Sequence, residues 1–474
     1  MTLASESLGV FILATSFVFC CVYFLTGVEE LFLDLIAFRN RLKPQIIDEW
    51  VLTYFELLPQ KKIAILVPAW NEGKIIASML KGNLNRIRYK NFIFLVGCYP
   101  NDPETIEAVR KVSQSDPRVI PVVNSSYGPT SKGQMLNELV QYARFSLCDQ
   151  KVEAYLLQDA EDIIDPWSLS LINYKLDSFD FVQIPIFSLE VSLKEWVAGT
   201  YMDEFAESHT KDLLVRSALG SAIPSAGVGT AFSAKVVEAF IRKYGWVFYE
   251  KSLTEDYEFG IRNHGLKFKS TFAAYRFWDK AKKEFHFIAT REYFPKNLQR
   301  SIRQKTRWTV GIALQGWKNL GWPGSLSNRY FLYRDRRGVA TNIFTFLGYI
   351  VAPLCLFTLA TVSQNSAPQV NQLRQALYIV FWVNVPLALH RIFMRSLCVY
   401  RVYGRKALLF LPVRWPVAVF INSMACLNAL AQALDKKIRG RSFHWVKTEH
   451  ELPAGFDLPE SVMPLAMAQE RRAS

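Results

Sequence analysis

Histidine and cysteine are scarce, at six and seven in 474 residues. The histidines form no H-x-x-x-H pair and the cysteines show no metal-type spacing, which argues against a structural zinc and against a disulfide scaffold. Five cysteines (Cys20, Cys21, Cys355, Cys398 and Cys426) lie in or beside apolar segments and read as small buried hydrophobes. No G-x-G-x-x-G follows the first predicted strand, and no G-x-x-x-x-G-K-[ST] occurs anywhere, so dinucleotide-binding and P-loop folds are disfavoured. Acid is in short supply as well: 42 Asp+Glu stand against 56 Lys+Arg, a net charge of +14. Half the residues are hydrophobic, which excludes disorder as the main state. A chain both apolar and basic suits a membrane protein with a cytoplasmic face, or a binder of polyanions.

What the sequence does have is membrane-length apolar runs at its two ends. Leu8 to Val28 carries no charge and is long enough to cross about 30 Å of hydrocarbon. No basic region precedes it and no small-residue cleavage site follows, so it reads as a span rather than a cleaved signal peptide. Arg39, Arg41 and Lys43 follow, which places the N-terminus outside and residue 40 onward inside. Val339 to Ser363 is a second uncharged run, and 364–374 a polar loop suited to the outside. Gln375 to His390 is a third run, extended to Met394 if Arg391 snorkels. Trp415 to Leu434 is uncharged but has basic flanks on both sides, so it reads as an interfacial helix, with a shorter one at Ala407 to Leu411. Three spans are expected, and four are the alternative.

Between Lys61 and Arg337 nothing approaches a spanning length. Apolar runs at 63–68, 92–96, 118–123 and 153–158 read as strands, and 72–84, 103–113 and 131–145 as helices. This alternation implies a mostly parallel sheet with right-handed crossovers, whose ligands sit beyond the carboxyl ends of the strands. The chemistry-bearing residues fall at those ends. Asp159, Glu161 and Asp162 follow an apolar strand, and acids so close repel one another unless a hard cation such as Mg²⁺ or Mn²⁺ is present. The plain alternative is a solvated acidic turn. Glu255 and Asp256 offer a carboxylate to accept a hydroxyl proton, yet Thr254 or Asp256 could equally cap a helix. Gln304, Arg307 and Trp308 lie in a basic run, where a guanidinium beside an indole could hold a pyrophosphate. An interfacial helix with a snorkelling Arg and an anchoring Trp explains them equally well. Lys132 at a helix start is ordinarily just solvated, and Gly227-Val-Gly229-Thr230 is either a close-approach turn or only a loop.

Taken in order, these signals resemble the membrane-bound family 2 glycosyltransferases, the group that includes cellulose, chitin and hyaluronan synthases. The matching residues are Val-Pro-Ala-Trp-Asn-Glu (67–72), Asp102, Lys132, Asp159-Ala-Glu161, Thr-Glu-Asp (254–256) and Gln-x-x-Arg-Trp (304–308). Five further strings, at 99–103, 128–132, 224–230, 291–295 and 330–338, extend the resemblance over nearly the whole chain and narrow it to one inner-membrane branch. Longer members of that branch carry a cyclic di-GMP sensor domain; no PilZ-type basic signature stands out in these residues.

The resemblance implies an α/β fold: a GT-A domain, with a mixed, mostly parallel sheet flanked by helices, inserted between transmembrane helices and accompanied by interfacial amphipathic helices. It implies an inverting, metal-dependent transfer from a UDP-linked sugar, with the enzyme in the bacterial inner membrane and its catalytic domain cytoplasmic. Pro68, Ala69, Asn71, Glu72, Asp102, Lys132 and Asp159 would bind the nucleotide sugar. Asp159, with Glu161 or Asp162, would hold the Mg²⁺ or Mn²⁺, and Asp256 would be the general base. Gly229, Thr230, Glu255, Gln304, Arg307 and Trp308 would face the pyrophosphate and the acceptor. The expected layout is 1–30 span, 31–60 juxtamembrane segment, 61–290 GT-A domain, 291–338 interfacial helices, 339–396 two spans, 397–440 basic interfacial or membrane helices, and 441–474 tail. The expected partners are the donor, a growing glycan or a lipid acceptor, the bilayer and an outer-membrane export partner, with no nucleic acid. Relatives suggest N-acetylated hexosamines. A polysaccharide synthase, a single-sugar transferase to a lipid carrier and a non-catalytic envelope scaffold remain the competing functions.

Overall fold

The computed structural model describes residues 3–361 and 368–440. The expected tail at 441–474 lies outside the described residues, as does part of the expected outer loop. The described residues form twelve strands: β1 (Gln45–Ile47), β2 (Ile63–Pro68), β3 (Phe92–Cys98), β4 (Val119–Val123), β5 (Ala154–Leu157), β6 (Phe181–Gln183), β7 (Ile186–Ser188), β8 (Thr230–Ser233), β9 (Ser270–Phe272), β10 (Tyr275–Asp279), β11 (Glu284–Ile288) and β12 (Thr290–Glu292). Seven of them build the main sheet, in the order β4-β3-β2-β5-β8-β6-β9. The pairs β4–β3, β3–β2, β2–β5 and β6–β9 are parallel, while β8 runs antiparallel to both β5 and β6. All four strands expected from the apolar runs are present.

The central strands are apolar throughout because both faces of the sheet are covered. Ile63, Ile65 and Val67 of β2 point into one core, with Phe92, Phe94 and Val96 of β3. Ala64 and Leu66 point into the other, with Ile93 and Leu95. Two of the three expected helices begin where expected, while the one expected at 72–84 begins at Ile76 and runs to Arg86. Pro103–Ser115 starts with proline behind the Asp102 cap, and Lys132–Phe145 starts behind Ser131, whose hydroxyl accepts from the Gln134 N–H at 3.1 Å.

Among the described residues, four helices rather than the expected three are long and apolar enough to cross a membrane: Ser7–Arg39 within helix Leu3–Arg39, then Leu326–Thr361, Pro368–Tyr403 and Leu411–Arg439. The last is one continuous helix that includes the expected interfacial stretch 415–434, preceded by a 3₁₀ turn at Lys406–Leu408. Leu326–Thr361 starts well before the apolar run at 339, so the basic string 334–337 is the foot of a membrane-length helix. Between the sheet and these helices lie Trp196–Glu207, the π-turn Ser208–Asp212, Leu298–Thr309 and a second π-turn, Val310–Gln315.

Candidate active site

One wall of the candidate site forms where β2 ends. Proline closes the strand, and the Ala69 N–H still reaches the Gly97 carbonyl at 2.8 Å. Asn71 takes φ +56°, which turns the chain, and its N–H donates to Asp102 Oδ2 at 2.5 Å. The Glu72 N–H donates to Thr105 Oγ1 at 2.9 Å. Trp70 packs edge-on against Tyr99, with ring centres 5.2 Å apart. The Tyr99 hydroxyl pairs with Thr130 Oγ1 at 2.7 Å, and the Asn101 side chain bonds both the N–H and the carbonyl of Gly128. The loops after β2, β3 and β4 thus make one rigid rim.

This rim opens on a cleft lined by Pro68, Ala69, Glu72, Lys132, Asp159, Glu161, Asp256, Gln304, Arg307 and Trp308, all of them expected from the sequence. The Lys132 ammonium sits 2.5 Å from Asp159 Oδ1. Burial pulls that ammonium down, but Asp159, Glu255 and Asp256 outweigh it, so its pKa is raised and it stays charged. On the other side of Asp256 lies a second cavity of about 390 Å³, which Ser131, Lys132, Glu250, Glu255, Arg307, Gln315 and Lys436 help to line. The two cavities share Lys132, Asp256, Arg307 and Trp308.

Asp256 lies in the first turn of helix Glu255–Gly265. Burial raises its carboxyl above the ordinary range, opposed by Lys132, the Tyr257 N–H at 2.7 Å and Arg307. Burial and then Asp256 push the Glu255 carboxyl up to about 7. Thr254 occupies the cap position without capping through its side chain. The cap explanation therefore fails for Thr254, and among the described residues Asp256 accepts only its own neighbour's N–H. Gly227, at φ +85°, is the close-approach residue: a Cβ there would collide with the Asp256 carboxylate.

Gln304 Oε1 accepts from the buried Tyr201 hydroxyl at 2.9 Å, and Tyr201 stacks on Phe294 at 4.4 Å. Trp308 meets Tyr201 edge-on at 6.1 Å. Lys305 Nζ, between Gln304 and Arg307 in sequence, bonds Glu204 and Asn422. Arg307 Nε is buried and has no hydrogen-bond partner among the described residues.

Other expected residues lie apart from the cleft. The Asp102 carboxylate is engaged by the Asn71 and Thr105 N–H groups, so it fastens the turn. Asn71 is exposed on that turn. The Gly229 N–H bonds the Leu157 carbonyl, and Thr230 is wholly buried with its hydroxyl on Gln183 and Ser225, so both serve the start of β8. Asp162 is also fully buried, with Oδ2 accepting the Asp159 N–H at 2.6 Å. Burial, Glu292, Asp159 and Glu161 raise its pKa well above the ordinary value. It therefore braces the acidic turn, and Glu161 is the acid that joins Asp159 at the cleft. Sequence reasoning passed over Tyr99, Pro129, Thr130, Ala226, Glu292 and Tyr293 as lining residues. Their signal was position: each follows a strand end or lies in the strings at 99–103, 128–132, 224–230 or 291–295.

No trio of His, Cys, Asp or Glu among the described residues is placed to hold a metal by itself. Two hard carboxylates on one turn nevertheless suit a cation that completes its shell with phosphate oxygens and water.

A family model described as glycosyltransferase like family 2 matches residues 59–311, more than half of the chain. The chain belongs to glycosyltransferase family 2. Within the family it is similar to bacteriophage adsorption protein B of Escherichia coli K12 and bacteriophage N4 adsorption protein B of Escherichia coli O157:H7. To each it is 34% identical over 471 residues, covering 94% of this chain and 63% of the relative. This family 2 chain thus spans less than two thirds of the length of those curated relatives. Among solved structures it resembles the mannosyltransferase PcManGT from Pyrobaculum calidifontis, in complex with GDP-Man and Mn²⁺. The TM-score is 0.51 at 12% identity, covering 90% of this chain and 99% of that one, a likeness of fold. The domain is a GT-A glycosyltransferase domain joined to helices of membrane-spanning length.

Proposed function

We propose that this chain is an inner-membrane inverting glycosyltransferase that takes a sugar from a UDP-N-acetylhexosamine and adds it to a growing glycan destined for export. The observation that carries this reading is the meeting of two cavities at one carboxylate. Asp159 and Glu161 stand on the donor side of Asp256, an open chamber lies on its other side, and Lys132 and Arg307 line both. In this reading Trp70 and Tyr99 offer flat surfaces to the nucleotide base, and Lys132 and Arg307 hold the diphosphate. The acceptor hydroxyl oxygen attacks the anomeric carbon from the face opposite the nucleotide. The bond to the diphosphate oxygen breaks with its electron pair leaving on the nucleoside diphosphate. Asp256 takes the hydroxyl proton, and its raised pKa makes it a better proton acceptor than an ordinary aspartate. Arg307 stabilises the charge that grows on the leaving group. Mg²⁺ or Mn²⁺ held by Asp159 and Glu161 would neutralise diphosphate charge, as the Mn²⁺ named in the mannosyltransferase complex suggests.

A second reading, transfer of one sugar to a lipid carrier, is favoured by Lys436. This residue of the last long helix lines the chamber beside Asp256, where a lipid phosphate could reach it. The test is nucleoside diphosphate release by the protein in lipid nanodiscs with Mn²⁺ or Mg²⁺, across UDP- and GDP-sugars, with the products sized. Release with a UDP-N-acetylhexosamine and a ladder of products is expected. A single organic-soluble glycolipid would favour the second reading, and no release with any donor would contradict both.

A further inference from the structure

The string Arg334-Asp335-Arg336-Arg337 sits at the foot of helix Leu326–Thr361, and its four side chains part to two sides. Arg334 and Arg337, one turn apart, face helix Leu3–Arg39. Arg334 bonds Glu29 at 3.0 Å and Glu30 at 3.1 Å; Arg337 pairs with the same two carboxylates. Asp335 and Arg336 face the catalytic domain. Asp335 Oδ2 accepts from the Tyr257 hydroxyl at 2.7 Å, and both its oxygens accept from Arg216 Nη1 at 2.9 and 3.0 Å. Tyr257 is buried and directly follows Asp256. Arg336 Nη2 donates to the Gly316 carbonyl at 3.1 Å, and its guanidinium lies over the Trp322 ring at 4.4 Å. Gly316 directly follows the π-turn Val310–Gln315, which continues the Gln304–Trp308 helix. A π-turn inside a helix is commonly placed at a functional site. The two segments also meet each other. Gln315 Oε1 accepts the Leu253 N–H at 2.8 Å, and a Cβ at Gly311 would collide with the Thr254 side chain.

We propose that residues 334–337 form a strut through which the packing of the first two long helices fixes the positions of Asp256 and of the Arg307–Trp308 segment. Asp335 and Arg336 are positioning residues: neither lines the cleft, and each holds one of the two segments that do. The bonds are geometrically demanding. A carboxylate shared between a guanidinium and a phenol fixes direction as well as distance. Displacement of a reacting group by about 1 Å is enough to cost on the order of 100-fold in rate. Loosening of Glu29 and Glu30 from Arg334 and Arg337 would therefore reach the base helix without any change in the donor wall.

The test uses the full chain in nanodiscs, with Asp335→Asn and the milder Tyr257→Phe. Hydrogen exchange is read over 253–262, 310–316 and the strand 63–68. The strut predicts faster exchange in the first two segments and none of that change in the strand. Unchanged exchange in both segments would overturn it, as would a uniform rise through the whole domain, which means lost fold rather than lost positioning. The turnover arm rests on the transferase reading. There, Tyr257→Phe should lower kcat about tenfold while leaving donor KM within about twofold. Normal kcat in Tyr257→Phe would overturn the positioning role. A wild-type protein inactive with every donor, but with the exchange pattern above, would keep the strut and overturn the transferase reading.

Discussion

At the donor wall, Ala69, Asn71 and Glu72 are each tied to the strand or helix that follows next in the sheet. At the opposite wall, Gln304 is tied to Tyr201 in the layer next to the long helices, while Tyr257 is tied to Asp335, Gly316 to Arg336 and Lys305 to Asn422, three partners on the long helices themselves. The first wall is a product of the GT-A sheet alone. The second is assembled from the domain and the helices together. Donor recognition should therefore tolerate damage to the membrane-proximal layer, while the chemical step should not.

Four substitutions sharpen or break that contrast. Arg307→Ala should have the largest effect of the four, a kcat loss of roughly 10²–10³ from the removal of charge stabilisation at the leaving group. Single-turnover kinetics checks it, and a change confined to KM would move Arg307 to the donor wall. Gly227→Ala comes next. Its φ of +85° and the collision with Asp256 should displace the base and lower kcat at least about tenfold, with donor affinity kept. Equal kcat in the two proteins would show that Asp256 has room to move.

Glu255→Gln is read by stability. Burial and Asp256 raise the carboxyl from its ordinary 4.5 to about 7. The folded state then holds that proton more tightly than the unfolded chain, so ionising Glu255 costs stability as pH rises through this window. The variant should gain nothing at pH 4, gain progressively between pH 4.5 and 7, and level off above that at about 3 kcal/mol at most. Tm against pH in the donor-free protein checks the sign; a gain that shrinks with rising pH would contradict it. Asp102→Ala should do least. It removes a helix cap worth about 1 kcal/mol and loosens the Asn71 turn, raising donor KM with kcat unchanged.

The contrast also explains what could be read from sequence. The strands β2 to β5 were legible because buried parallel strands are short apolar runs ended by proline, glycine or acid, as at Pro68 and Asp159. Their strand-end residues were legible for the same reason. The roles of Asp102, Gly229, Thr230 and Asp162 were not, because a side chain that fastens a turn and one that faces a ligand look alike in sequence. Asp162 and Glu161 differ only in which way the turn at 159–162 directs them. Gly227 rather than Gly229 approaches Asp256, since the helix that carries Asp256 comes from residues 255–265, far along the chain. The continuity of Leu411–Arg439 was hidden by the basic residues on both flanks of 415–434, together with Pro416 and the polar residues between them. Pro416 lies inside that helix, where a membrane-length helix tolerates the missing N–H, and Ser423 returns its hydroxyl to the Val419 carbonyl.

The central claim is that Asp256 accepts the acceptor's proton from a cleft whose donor side is separately built. The most direct measurement sets nucleoside diphosphate release beside UDP affinity for wild type and Asp256→Asn in the same nanodiscs. With Asp256 as the proton acceptor, release falls by roughly 10²–10⁴ in the variant while UDP affinity stays within a few-fold. Normal release by Asp256→Asn, or loss of release and UDP binding together, would contradict it.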